Sequence, residues 1–371
     1  MTRYRGSKHT LKRISRRDCL TALTGMAALS GIPMTQAMSR ASAAWGPYRG
    51  ANTQQVTEDD VRDFAAFRGN LLRLSFPNRP FINLNPPYNF IESVLSYLQD
   101  VLDWSEKYGV DVVIDPHKYP GTEHPWTMLS SDPFWRDFVW HEKVIALWER
   151  ISKDCAGRGN VVAGYDLLNE PDVREDAQKD SPGDLNLFYR KCIDAIRKHD
   201  TRHPIVVASP RYRDTQGNGH SYLAGVNLLE RYEDDNIVYE VHCYSPIEFT
   251  HQGVQDRPEP VAYPGTVNGV LWNRAALDRL FQPTVEFKKR HNVPIFMGEF
   301  SSPKWTGNDG NSYIGDVIGL CEQYGFSWAY HAYREAWVWD AEMDNEDKDA
   351  RERLESTPRL ELLKRYYRRN G

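Results

Sequence analysis

Eight short apolar runs, nearly all followed by a longer amphipathic segment, set the strongest limit on what this chain can fold into. They lie at residues 49–53, 70–76, 110–115, 161–170, 204–208, 236–244, 293–300 and 326–333. Runs this short, bounded by Gly, Pro and polar residues, read as buried strands. Between them the apolar spacing becomes helical. One helix starts at Thr57, a cap followed by Glu58, Asp59 and Asp60. Others are expected over 90–108, closed by Gly109, over 133–155, 185–199 and 274–291, over 313–324, closed by Gly325, and over 354–368. Strands joined by helical crossovers pair in parallel, and eight such units closing on themselves make an α/β fold, a single (β/α)8 TIM barrel over 44–371. An open doubly wound sheet would want a Gly-rich phosphate loop after an early strand, and the sequence has none.

Residues 1–43 stand apart from this rhythm. Eight of the 46 basic residues and one of the 51 acidic ones fall there, which leaves 38 against 50 in the remainder. Ser15-Arg16-Arg17-Asp18-Cys19-Leu20 resembles a twin-arginine export signal, and Ala41-Ser42-Ala43 offers an A-x-A cleavage site. The expectation is a cleaved leader and a periplasmic or extracellular protein. The apolar stretch after Cys19 contains Gly25, Gly31 and Pro33 and is a poor membrane span, so no membrane partner is expected. A net charge near −12 on the rest argues against nucleic acid. Cys155, Cys192, Cys243 and Cys321 are scattered without a C-x-x-C spacing, so neither zinc nor a disulfide framework is indicated. The chain is expected to act as a monomer.

Barrel chemistry is done at the carboxyl ends of the strands. The run Val161-Val162-Ala163-Gly164-Tyr165-Asp166-Leu167-Leu168 stops abruptly at Asn169-Glu170-Pro171, because proline has no N–H to continue a ladder. Glu170 is thereby left at a strand tip. The seventh run ends the same way at Glu299. The other strand ends carry Arg73, His117, His242, Tyr244 and Trp328. Two carboxylates facing each other across a barrel mouth suit cleavage of a glycosidic bond, one protonating the leaving oxygen and the other meeting the charge at the anomeric carbon. Arg73 and the Tyr244 hydroxyl are expected to donate to Glu299 and keep it ionised. Glu170, near that negative charge, is expected to hold a proton, and Asn169 to reach the sugar 2-hydroxyl.

These stretches, in this order, resemble glycoside hydrolase family 5. Asn169-Glu170-Pro171, His242-x-Tyr244 and Glu299 in Ile295-Phe296-Met297-Gly298-Glu299-Phe300 carry the likeness. Arg73 in Leu71-Leu72-Arg73-Leu74 and His117 in Val113-Ile114-Asp115-Pro116-His117 extend it across residues 46–335. The resemblance implies a retaining enzyme without cofactor or metal, with Glu170 as acid/base and Glu299 as nucleophile, acting on a β-linked oligo- or polysaccharide. β-1,4-Glucan is the first expectation, with β-mannan, β-1,3-glucan and exo-acting glucosidase activity as alternatives set by the loops. The family also supplies a tryptophan platform from the eighth strand. Trp328 is the choice here, with His331 standing where a second tryptophan is common and Trp337 or Trp339 as substitutes.

With 11 Trp, 20 Tyr and 14 Phe, the chain has aromatics for both a core and a sugar cleft. Trp126, Trp272 and Trp305 fall in expected loops and are candidates for outer subsites. The acidic run 340–349 lacks EF-hand spacing and reads as a solvated loop. Two rivals remain: a metal-dependent hydrolase using Asp115, His117 and His242, and a binding protein on an inactive barrel.

Overall fold

The computed structural model describes residues 45–343 and 347–370. The expected leader over 1–43 lies outside the described residues. Eight parallel strands close on themselves: β1 (Arg49–Thr53), β2 (Leu71–Ser75), β3 (Asp111–Asp115), β4 (Val162–Asp166), β5 (Ile205–Ala208), β6 (Ile237–Cys243), β7 (Ile295–Phe300) and β8 (Ser327–Tyr330). Each pairs with its sequence neighbours, and β8 returns to β1 through Arg49 opposite Trp328. The single barrel read from the strand and helix rhythm is the observed fold.

Helices α1 (Glu58–Ala66), α2 (Glu92–Tyr108), α3 (Phe138–Cys155), α4 (Leu185–Arg197), α5 (Tyr222–Gly225), α6 (Arg274–His291), α7 (Gly307–Tyr324) and α8 (Pro358–Tyr367) follow the strands. Thr57 and Asp60 form a capping box on α1, and Gly109 ends α2 in the left-handed conformation, φ 71°. Three starts differ by more than two residues from the sequence reading. Residues 133–135 form a separate turn because Asp137 caps α3. Thr357 caps α8 with Pro358 in its first turn. Helix α7 begins six residues early, in a first turn containing Gly307 and Gly310 and therefore lacking apolar periodicity.

Inside the barrel, Leu71, Val113, Ala163, Val206, Val238, Phe296 and Ala329 form an apolar floor, one residue from each of β2 to β8. Trp45 and Tyr48 pack against it, and the Trp45 indole donates to the Ala163 carbonyl at 2.8 Å. Each of the larger ones, Leu71, Val113, Val206, Val238 and Phe296, contributes about 1.5–3 kcal/mol when taken out of water. This floor fixes the register of the strands, and hence the height at which the next inward residues stand.

Candidate active site

One step above the floor the interior turns polar. Arg73 on β2 is fully buried, and its guanidinium touches four carboxylates. Nη1 lies 2.9 Å from Glu299 Oε1 and 3.0 Å from Asp115 Oδ2, Nη2 2.7 Å from Asp166 Oδ2, and Nε 3.0 Å from Glu240 Oε1. Nη1 and Nη2 also donate to Asn52 Oδ1 (3.1 Å) and Asn169 Oδ1 (3.0 Å). A planar fork with five donors suits this ring of acceptors, which a lysine could not serve. One cation does not neutralise four buried anions. Burial, then the charge of Glu240, push the Asp166 carboxyl well above its usual value, so it holds a proton.

The inner face of β6 carries Val238, Glu240 and His242 by simple alternation. Room for Glu240 comes from Gly298 on β7, where a β-carbon would lie 1.6 Å from Glu240 Oε1. His242 bridges Glu240 (Nε2, 3.3 Å) and Glu170 (Nδ1, 3.0 Å), with Nδ1 also 3.9 Å from Glu299 Oε2. Burial opposes its charge, but Glu299 and the bonds to Glu170 and Glu240 outweigh it and raise the imidazole well above its ordinary value. As an imidazolium it donates to both carboxyl groups.

Glu299 receives Arg73 on Oε1 and the Tyr244 hydroxyl on Oε2 at 3.0 Å, the two donors read from the sequence. Burial would raise its carboxyl, yet His242, His331 and Arg73 together bring it below the ordinary carboxylate range. Glu299 is therefore ionised at neutral pH.

Glu170 has φ 46° and His117 φ 63°, a left-handed region that residues with side chains seldom occupy. The Glu170 carbonyl accepts from Thr127 Oγ1 at 2.9 Å and from the Met128 amide at 3.3 Å, which hold the turn. His117 donates Nδ1–H to Asp115 at 2.7 Å and accepts from Asn169 Nδ2 at 3.2 Å; that amide also donates to the Trp126 carbonyl at 2.8 Å. Arg73, His117, Asn169, Glu170, His242, Tyr244 and Glu299 thus converge on one mouth. The nearest oxygens of Glu170 and Glu299 lie within 4.8 Å of each other.

Trp328 does not join them. Strand alternation turns Ala329 inward and Trp328 outward, where its ring stacks on Tyr367 (5.6 Å, 21°) and its indole N–H bonds Glu322 at 3.0 Å. It is fully buried between barrel and helices and offers no face to a sugar. Its place at the mouth is taken by His331. Of the substitutes, Trp339 packs on His331 and His251, and Trp337 pairs with Trp305 at 5.6 Å. Trp126, 42% exposed, stands beside Asn169.

The acidic run also differs from expectation. Asp340 is buried against Arg353 (2.8 Å), and Glu342 takes both arms of Arg334 (2.7 and 2.9 Å), so its first acids are structural ion pairs. Residues 344–346 of that run lie outside the described residues.

Asp166, Glu240, Asn52 and Glu335 were not singled out in the sequence. The signal for Glu240 was available: Glu240-x-His242-x-Tyr244 alternates, so all three face inward. Glu170, His242 and Glu299 each offer one ligand atom within 4.8 Å of the others, a spacing that admits a metal ion. In the metal-hydrolase alternative the ring nitrogens of His117 and His242 are already committed to Asp115, Asn169, Glu170 and Glu240.

A parallel eightfold barrel with two facing acids at the ends of β4 and β7 is the framework of a glycoside hydrolase. Residues 28–337 match the cellulase family, glycosyl hydrolase family 5. Endoglucanase C of Acetivibrio thermocellus is 25% identical over 328 residues, spanning 79% of this chain and 87% of its own length. Cellodextrinase A of Ruminococcus flavefaciens is 28% identical over 250 residues, 66% of this chain and 68% of its own. A hyperthermophilic endo-β-1,4-glucanase solved with substrate shares the fold, with a TM-score of 0.66 at 18% identity over 85% of this chain and 96% of that one. The chain belongs to glycoside hydrolase family 5, enzymes that hydrolyse O-glycosyl bonds.

Proposed function

We propose that the protein is a retaining endo-β-1,4-glucanase in which Glu299 is the nucleophile and Glu170 the acid/base. The observation that carries this reading is the approach of the two carboxylates to within 4.8 Å. Retaining enzymes hold this pair about 5–5.5 Å apart, whereas inverting ones leave about 6.5–9.5 Å for a water. The partners divide the roles. Arg73 and Tyr244 keep Glu299 ionised and aimed, and Glu170, partly exposed, stands at the rim where a leaving group departs.

In the first step the glycosidic oxygen takes the Glu170 proton as Glu299 bonds to the anomeric carbon. In the second, a water gives its proton to Glu170 and its oxygen to that carbon, and the carboxylate of Glu299 is released. Arg73 and Tyr244 stabilise the returning charge, and Asn169 is the proposed contact for the sugar 2-hydroxyl.

The β-1,4-glucan assignment rests on the names of the relatives, Endoglucanase C and Cellodextrinase A. The test is release of reducing ends from β-1,4-glucan, β-mannan and β-1,3-glucan by the wild type, Glu170→Ala and Glu299→Ala. Rapid loss of viscosity on soluble cellulose, absent in Glu299→Ala, supports the reading; turnover confined to mannan or β-1,3-glucan replaces the substrate and keeps the chemistry. We further infer export, on the Arg16-Arg17 pattern, and action as a monomer, since both acids and their partners come from one chain.

A further inference from the structure

His331 stands at the end of β8 and belongs to a chain of four side chains. Glu335 Oε1 lies 3.0 Å from His331 Nε2, His331 Nδ1 lies 3.0 Å from the Tyr244 hydroxyl, and that hydroxyl lies 3.0 Å from Glu299 Oε2. Gln54 Nε2 donates to Glu335 at 2.6 Å and fixes the far end.

Counting protons assigns the donors. Ionised Glu299 only accepts, so the single Tyr244 proton goes to it. The Tyr244 oxygen must then accept from His331 Nδ1–H, while Nε2–H serves Glu335. Both ring nitrogens are donors, and His331 is an imidazolium.

Resting on the reading of Glu299 as nucleophile, we propose that His331 is a positioning residue that, as an imidazolium held by Glu335, commits the Tyr244 proton to Glu299 and so governs release of the glycosyl-enzyme. When the bond between the anomeric carbon and Glu299 breaks, its electron pair returns to the carboxylate, and the Tyr244 O–H meets that charge. A neutral His331 that keeps Nε2–H on Glu335 turns an Nδ1 lone pair toward Tyr244. The phenol proton is then shared with the ring, and Glu299 loses a donor at the moment its charge reappears.

The groups facing His331 agree with the charged form. Burial and Arg73 on β2 oppose the charge, and Glu335 on its own loop with Glu299 on β7 favour it, with the balance above the ordinary histidine value. Tyr244 on β6 stays protonated, its phenol raised by burial and by Glu299. His251, across Trp339, is pushed down to about 4 by burial and is neutral.

The test uses dinitrophenyl β-cellobioside, whose leaving group needs no protonation, so that release of the glycosyl-enzyme limits kcat. Glu170 then acts only as a base and imposes an acid limb, and an alkaline limb reports a different group. The wild type is expected to lose kcat above the ordinary histidine range of about 6.5. His331→Gln keeps an N–H for Tyr244 but does not titrate, and is expected to lose the alkaline limb and to lower kcat less than His331→Phe does. Glu335→Gln moves that limb down by about one pH unit or more. His331→Phe lowers kcat about tenfold or more and KM with it, because the intermediate accumulates.

An unchanged alkaline limb in His331→Gln, or wild-type turnover in His331→Phe, overturns the proposal, as does a loss of kcat that follows only a loss of thermal stability. Trapping each form with a fluoro-sugar and mapping the labelled peptide separates the two readings. Label on Glu299 leaves the nucleophile standing whatever His331 does; label elsewhere, or no turnover of the cellobioside, removes that reading and this one with it.

Discussion

Gly298 and Glu240 share one space: a β-carbon on the glycine of β7 would lie 1.6 Å from a carboxylate oxygen on the neighbouring strand. Glu240 cannot swing aside, because Arg73 Nε and His242 Nε2 hold that same oxygen at 3.0 and 3.3 Å. Gly298→Ala is therefore expected to break both contacts, lowering stability by about 3 kcal/mol or more through an unpaired buried charge. It should also lower kcat/KM about 100-fold through misplacement of Glu299 next door. Denaturant unfolding and steady-state kinetics check the two effects separately.

Arg73 works through the shape of its fork. Arg73→Lys keeps a positive charge but cannot reach Asp115, Asp166, Glu240 and Glu299 at once. A loss of kcat/KM of about 100-fold or more is expected, carried mainly by kcat, since the contact to Glu299 matters most when charge moves.

The depressed carboxyl of Glu299 has a consequence for stability. Its folded value lies below its unfolded one, so its contribution is fully present above the unfolded value, about 4.3, and is lost as pH falls toward the folded value. The stability difference between wild type and Glu299→Gln, measured by urea unfolding, is expected to shift against the wild type as pH falls below about 4. A difference that is flat down to pH 2 contradicts the assignment.

Thr127 supports the left-handed turn at Glu170 by a hydroxyl bond to its carbonyl. Thr127→Val should cost about 1 kcal/mol of stability, with the Met128 amide still in place, and reduce kcat several-fold by loosening the acid/base. Wild-type kcat in this variant would mean that the turn is held by the neighbouring proline and strand alone.

Trp328 supplies a negative prediction. Trp328→Phe loses the indole bond to Glu322 and part of the stack on Tyr367, about 1–2 kcal/mol, while Arg49 still serves Glu322. kcat and KM on β-glucan are expected to stay within about twofold of wild type. A large rise in KM would return this residue to the cleft.

The barrel was legible because strand and helix have different periods, and Glu170 because proline stops a strand wherever it stands. Glu299, His117, His242 and Tyr244 were legible for the same positional reason, each standing at or just past the end of an apolar run, and Arg73, inside Leu71-Leu72-Arg73-Leu74, through the family resemblance. The orientation of Trp328 was misjudged because the strand-end rule says which residues are high in the barrel and not which face they take. In Ser327-Trp328-Ala329-Tyr330 the small residues alternate with the large ones, and only the small ones fit the narrow interior. The acids around Arg73 were hidden for a different cause. Asp166 and Glu240 lie inside apolar runs, and a charge there makes sense only once a cation from another strand is known to meet it.

The division of labour between Glu170 and Glu299 is the claim on which the rest depends. The most direct measurement follows the anomer first released by the wild type by proton NMR, then the glycosyl azides formed when azide is added to each alanine variant. The account predicts a β-configured product from the wild type, a β-azide from Glu170→Ala and an α-azide from Glu299→Ala. An α-configured first product, or Glu299→Ala retaining wild-type hydrolysis, would contradict it.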